Sequence, residues 1–170
     1  TAIRRQRQMC IRDRINKDIK VAVLGAGAMG CLFGGLLSEK GLNVILIDVW
    51  KEHVDAINKD GLKMDGHGGN RVIKVKATSD PSSLNKVDAV IVMCKATALK
   101  PALNSVKNII GDKTVFMSFQ NGIGHEAIIQ SIVGDEKVIG GTTTQASNIL
   151  GPGHITVSYT HLTLPTNSGV

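Results

Sequence analysis

The sequence predicts an α/β fold, a doubly wound parallel sheet with helices on both faces. Two observations carry that prediction. Short apolar runs rich in valine and isoleucine alternate with segments of about ten residues at helical spacing. A glycine-rich turn joins the first such run to the first helix. The 170 residues suffice for one domain of ordinary size, and a composition 42% apolar and 20% charged excludes disordered, collagen-like and disulfide-dense classes.

Lys20–Leu24 (KVAVL) reads as a buried parallel strand, apolar on both faces. Met29–Lys40 has apolar residues at helical spacing, and Gly41 stops it as a C-terminal glycine should. Val44–Ile47 is a second strand, and Lys51–Lys59 a helix with Val54 and Ile57 on its apolar face. Gly61–Asp65 and Arg71–Ala77 read as strands around the polar turn His67-Gly68-Gly69-Asn70. Val87–Cys94 is another buried strand, and Thr97–Ile110 a helix entered through Pro101. Val115–Phe119 is a strand, Gly124–Ile132 a helix, and Val138–Ala146 a final strand running into GPGHIT.

Gly25-Ala26-Gly27-Ala28-Met29-Gly30 is G-x-G-x-x-G. It follows a predicted strand, opens a helix, and precedes a second strand ending in Asp48, which is the context of a Rossmann-type dinucleotide fingerprint. Gly25 makes the tight turn, Gly27 lets the backbone approach the pyrophosphate, and Gly30 lets helix and strand pack closely. The helix N-terminus offers free N–H groups to the phosphates. Asp48 is placed to accept from the adenosine ribose hydroxyls and to repel a 2′-phosphate, which favours NAD over NADP. The plainer reading makes Asp48 a helix N-terminal carboxylate, and Lys51 is a candidate phosphate partner.

Both ends read as foreign. Met9-Cys10-Ile11-Arg12-Asp13-Arg14 is one translation of AGATGTGTATAAGAGACAG, and Val157-Ser158-Tyr159-Thr160-His161-Leu162 is a translation of its reverse complement. That is the transposase end used in making sequencing libraries. Residues 1–14 are therefore read as a non-native leader, 15–156 as the dinucleotide-binding domain, and 157–170 as a non-native tail. The leader's five arginines less Asp13 supply +4 of the net +6, leaving +2, so no nucleic-acid partner is expected. Val21–Ser38 is uncharged, but five glycines interrupt it, and a spanning helix wants about 20 predominantly apolar residues. A strand, a turn and a helix explain it without a membrane. Cys10, Cys31 and Cys94 have neither CxxC nor zinc spacing, so no metal is expected and a reducing, cytoplasmic compartment is.

GAGAMG, ILIDVWKEHVDAINKDGL, VMCKA, QNGIG and GTTTQASNILGPGHI, in that order, resemble the N-terminal domain of the ketopantoate reductases (2-dehydropantoate 2-reductases). The resemblance spans essentially all of residues 15–156. It implies a nicotinamide cofactor giving hydride to a 2-oxo acid on the route to pantothenate. It implies that Lys95 and Asn121 line the cofactor and substrate cleft, and that the Ser147 backbone lies near the nicotinamide. Gly25, Ala26, Gly27, Ala28, Met29, Gly30, Asp48, Lys95, Asn121 and Ser147 are thus the cofactor-site candidates, with Asn121 also facing substrate. The family's catalytic lysine and substrate-binding glutamate belong to a helical C-terminal domain beyond Thr156, so no catalytic residue is assigned and the chain is read as an N-terminal fragment.

The plain alternatives stay open. Lys95 is otherwise a solvated lysine, Asn121-Gly122 a turn, and Thr142–Thr144 ordinary strand formers. Many NADPH-using relatives carry arginine where Trp50 stands, which points to an NAD-dependent branch reducing 2-oxo acids to D-2-hydroxy acids. A non-catalytic nucleotide-sensing domain is a third reading, and homodimerisation of the full-length protein is left open. His125 and Glu126 read as a helix cap and dipole partner, His53 and His67 as solvent-facing, and Cys31 and Cys94 as small buried apolar groups.

Overall fold

Strand β1 (Lys20–Leu24) is apolar on both sides because it runs through the middle of a sheet. Val21 and Val23 enter one core while Ala22 and Leu24 enter the other. The computed structural model describes residues 18–159. After β1 come α1 (Ala28–Glu39), β2 (Asn43–Ile47), α2 (Lys51–Asp60), β3 (Leu62–Gly66), β4 (Arg71–Ile73) and β5 (Lys76–Thr78). Then follow β6 (Val87–Val92), α3 (Leu99–Ser105), β7 (Ile110–Ser118), α4 (His125–Val133), β8 (Val138–Gly140), β9 (Gln145–Gly151) and β10 (His154–Tyr159).

The first sheet has the order β5-β2-β1-β6-β7-β8, and every neighbouring pair is parallel. The chain therefore winds outward from β1 in one direction, returns, and winds outward in the other, the doubly wound arrangement predicted. Helices α3 and α4 cover one face through Leu99, Leu103 and Ile129, packed with Phe116 and Val90. Helices α1 and α2 cover the other through Cys31, Leu32, Val54 and Ile57.

A second sheet, β4-β3-β10-β9, lies against α1 on the side away from the first. Strand β10 runs parallel to β3 and antiparallel to β9. Helix α1 is thus held between two layers. A Cβ on Gly34 would stand 2.4 Å from Leu46 Cδ2 of the first sheet, and one on Gly35 would stand 2.9 Å from Met64 Cε of the second. A helix with sheets on two sides must be apolar nearly all round, which is why residues 21–38 carry no charge. Among the described residues no helix is long and apolar enough to cross a membrane.

The second sheet corrects two predicted strands. Arg71–Ala77 divides, β4 joining the second sheet and β5 the edge of the first. Val138–Ala146 divides likewise into β8 and the start of β9, and Thr142–Thr144 between them belong to no strand. The predicted helix Thr97–Ile110 contracts to α3, with single 3-10 turns at Ala96–Ala98 and Lys107–Ile109. Strand β10 also runs three residues past Thr156, where the domain was expected to end, and Val157 is buried. Pairing with Gly66 and Ser147 uses backbone groups, which accept any side chain, so the ladder continues. Residues 1–17 and 160–170, with the rest of the two expected foreign segments, lie outside the described residues.

Asn58 closes the exposed edge of the first sheet. Its Nδ2 donates to the Ala77 carbonyl at 2.8 Å and its Oδ1 accepts from the Ala77 N–H at 2.9 Å. The side chain therefore stands in for a further strand beside β5. Asn58→Ala leaves both backbone groups of Ala77 without that partner, and a loss of about 1–2 kcal/mol in unfolding free energy is expected from urea denaturation.

Candidate functional site

Where the winding reverses between β1 and β6, the ends of β1, β2 and β6 open into a cleft of about 490 Å³. Such a switch point is where open parallel sheets bind ligands. Gly25, Gly27, Asp48, Trp50, Cys94 and Lys95 line it, together with Val49, Ser79, Pro81 and Thr97.

The three motif glycines are required for three separable reasons. Gly25 has φ +98°, and a Cβ there would lie 2.5 Å from the Cys94 backbone nitrogen. A Cβ on Gly30 would lie 1.9 Å from the Gly25 carbonyl oxygen. Gly27 differs: its φ is ordinary, and a Cβ would meet nothing within 4 Å. Among the described residues no atom fills that space, so the space suits a ligand approaching the backbone. Gly27 is also the N-cap of α1, with no side-chain cap and no acidic residue in the first turn. The first N–H groups of the helix are therefore left for an anion. Ala26 is buried behind the turn, and Ala28 and Met29 form the first turn of the helix.

Asp48 follows β2 and is half-buried at the cleft wall. Its Oδ1 accepts from the Trp50 N–H at 2.9 Å, so one oxygen steadies the entry to α2. The cleft role and the helix-terminal role of this carboxylate coexist. Trp50 donates from its indole Nε1 to Glu52 Oε2 at 3.2 Å, which brings a second carboxylate beside the same wall.

The other candidates divide. Lys95 lines the cleft and is exposed, as the end of a strand allows. Cys94 is half-buried and also lines the cleft, and burial pushes its thiol pKa up. Gln120 donates from Nε2 to the Cys94 carbonyl, tying the ends of β6 and β7 together. Asn121 is exposed and does not reach the cleft walls; its carbonyl accepts from His125 Nε2 at 2.9 Å. Ser147 lies in β9, where its Oγ donates to the Thr156 carbonyl at 3.0 Å. The structure thus brings Gly25, Gly27, Asp48 and Lys95 to one cleft and leaves Asn121 and Ser147 on neighbouring elements.

Three histidine and cysteine readings are revised. His125 is not a cap, since left-handed Gly124 caps α4; the imidazole is buried and folds back onto the 121–124 loop. Cys94 is half-buried rather than buried, packing against one core while also lining the cleft. His53 is fully buried, not solvent-facing, and its Nδ1 accepts from the Gly153 N–H at 3.0 Å. Its place four residues before Ile57, on the apolar side of α2, was the available signal. His67 is exposed, as expected.

A parallel sheet wound from β1 in both directions, a glycine turn with open space at Gly27 and a carboxylate at the end of β2 define a Rossmann-type dinucleotide-binding domain. The ketopantoate reductase PanE/ApbA family model matches residues 21–167. The chain belongs to that family.

Its relatives include a 2-dehydropantoate 2-reductase of Pyrococcus horikoshii, 41% identical over 135 residues that make up 79% of this chain and 43% of that protein. Another, from Streptococcus pyogenes serotype M3, is 33% identical over 133 residues, 78% of this chain and 43% of that protein. Among solved structures, D-mandelate dehydrogenase in a ternary structure with NADH and anilino(oxo)acetate superposes with a TM-score of 0.78 at 34% identity. That match covers 82% of this chain and 46% of the other. The chain spans less than half the length of these relatives.

The glycine geometry separates folding from binding. Gly30→Ala is expected to destabilise the chain by at least about 2 kcal/mol, because backbone must move to admit the methyl group. Gly27→Ala is expected to leave the melting temperature nearly unchanged while weakening NADH binding about tenfold or more. Thermal melting and NADH titration of both variants test the pair.

Proposed function

We propose that the chain is the dinucleotide-binding part of a nicotinamide-dependent oxidoreductase that reduces a 2-oxo acid, ketopantoate to pantoate on the route to pantothenate. The space left at Gly27, beside the uncapped start of α1 and a carboxylate at the end of β2, carries this reading. Residues 27–30 would hold the pyrophosphate through backbone N–H groups, and Asp48 would accept from the ribose hydroxyls with the oxygen that Trp50 does not use. When bound, the cofactor supplies the hydride. Lys95 would bring positive charge to the cleft mouth, where an anionic substrate approaches.

Reduction also needs a proton at the developing alkoxide, and a positioned general acid contributes typically 10²–10⁴-fold. His125 is occupied, since its Nε2 proton goes to the Asn121 carbonyl. The resemblance to the ketopantoate reductases implies a lysine of a helical C-terminal domain as the acid, in the part of the relatives that this match does not cover. A second reading, an NAD-dependent D-2-hydroxyacid dehydrogenase, is favoured by the NADH-bound D-mandelate dehydrogenase among the structural neighbours. Asp48 and Glu52 near Trp50 support NADH in either case, because a 2′-phosphate would meet two carboxylates and, among the described residues, no arginine lines the cleft.

NADH is expected to bind more tightly than NADPH, and Asp48→Asn to narrow the difference about tenfold. Titration with both cofactors decides this, and preference for NADPH would return Lys51 as the phosphate partner. Incubated with NADH and ketopantoate, the 170-residue chain is expected to bind cofactor without turnover, and a version extended by the part that the relatives carry outside this match is expected to reduce the 2-oxo acid. Turnover by the chain alone would move the acid role to Lys95 or His125.

A further inference from the structure

Inside the layer between the two sheets, one string of polar contacts connects the glycine turn to the second sheet. The Gly153 N–H donates to His53 Nδ1 at 3.0 Å. That contact requires a lone pair on Nδ1, so the imidazole proton sits on Nε2. Nε2 lies 3.2 Å from Cys31 Sγ, and the Cys31 thiol in turn donates to the Ala26 carbonyl at 3.1 Å. Ala26 is the second residue of the glycine motif. On the outer side, the Trp50 indole that walls the cleft stacks on the His53 ring, with centroids 4.9 Å apart and planes at 16°.

We propose that His53 is a positioning residue for the dinucleotide, one side chain that holds the pyrophosphate turn, the Trp50 wall and the second sheet in register. The proposal rests on the cleft being a dinucleotide site. His53 touches neither cofactor nor substrate; it acts through Cys31, Ala26 and Trp50. The contacts hold only while the ring is neutral, since a proton on Nδ1 would face the Gly153 N–H. Burial favours that state, lowering the imidazole pKa from its ordinary 6.5 and pushing the Cys31 thiol up to about 12.

The groups facing the ring are few. Cys31 approaches from α1, Asp48 from the end of β2 opposes the burial effect, and Glu52 acts from α2 through the indole. The turn of the second sheet presents the Gly153 N–H, which does not titrate, and the adjoining His154 is paired with Asp65 at 2.7 Å. Because the folded-state pKa is lowered, the contribution of His53 is complete above pH 6.5. It is lost as pH falls through the folded value.

The test uses the 170-residue chain, whose single tryptophan reports the stack. NADH affinity is measured from pH 8 to pH 5 with Trp50 emission followed in parallel. NADH binding is expected to weaken below pH 6.5 about tenfold, with the same midpoint as the change in Trp50 emission. His53→Phe keeps the stack and removes both hydrogen bonds. It is expected to bind NADH about tenfold more weakly at pH 8 and to lose the pH dependence. His53→Asn restores an acceptor for the Gly153 N–H and is expected to recover part of the affinity.

A wild-type pH profile shared by His53→Phe overturns the proposal, whatever happens to the melting temperature. If His53→Phe does not fold, the unaltered chain decides: NADH affinity that ignores the Trp50 transition overturns it too. Failure of the unaltered chain to bind NADH at any pH overturns the reading of the cleft and this proposal together. Binding that survives His53→Phe unchanged overturns this proposal alone.

Discussion

The closeness of α1 to what surrounds it is the constraint on which the rest depends. The helix begins against the Gly25 carbonyl, passes Leu46 of the first sheet, and lies under Met64 of the second. At each approach the residue is glycine: at Gly30 a methyl group would meet backbone, and at Gly34 and Gly35 it would have to displace the tips of Leu46 and Met64. Glycines inside a helix cost about 1 kcal/mol each relative to alanine, and the sheets on either side offset that by burying apolar surface on two flanks. The same closeness aims the start of the helix at the switch point of the sheet. The geometry that makes a dinucleotide cleft is therefore a consequence of packing before it is a feature of binding.

Polar contacts then fix how the layers sit. Hydrophobic packing alone leaves sheets free to slide, because it has no direction. Asn58 pins α2 to β5, and His53 with Cys31 pins the turn at Gly153 to the glycine motif. Each group in the buried string has a partner, which is the condition under which polarity in a core adds order rather than cost. Gly153 takes part for a steric reason as well: at φ +68° its missing Cβ lets the turn come against Ala56 of α2.

The sequence showed the first sheet clearly and the second poorly, and the cause is physical. Strands β1, β2 and β6 are buried on both faces over most of their length, which writes itself as runs such as KVAVL and VDAVIV. Strands β3 and β4 have one open face and only five and three residues, so their pattern is short and half polar. Nothing at Lys74-Val75 marks the passage between sheets, since both neighbours are extended and no glycine or proline is needed. The glycine motif was readable from its spacing and its place between a strand and a helix, although one of the contacts that demands it, Cys94 against Gly25, lies far along the chain. His53 was misread because its polarity was weighed above its position; the partner that explains it, Gly153, is a hundred residues away and carries no side chain.

Trp50 joins the question of cofactor choice to the question of stability. Its backbone N–H holds Asp48, its indole N–H holds Glu52, and its ring rests on a histidine that reaches the centre of the layer. A residue that merely lined the cleft could be exchanged for a cation to admit a phosphate at little cost elsewhere. Exchanging this one removes the flat surface over His53 and frees Glu52, while the backbone N–H that holds Asp48 remains. On the proposed reading of Asp48, discrimination at the ribose is coupled to the packing of α2 through the Trp50 ring, so altering it calls for rebuilding the wall and its support together rather than a single change of charge.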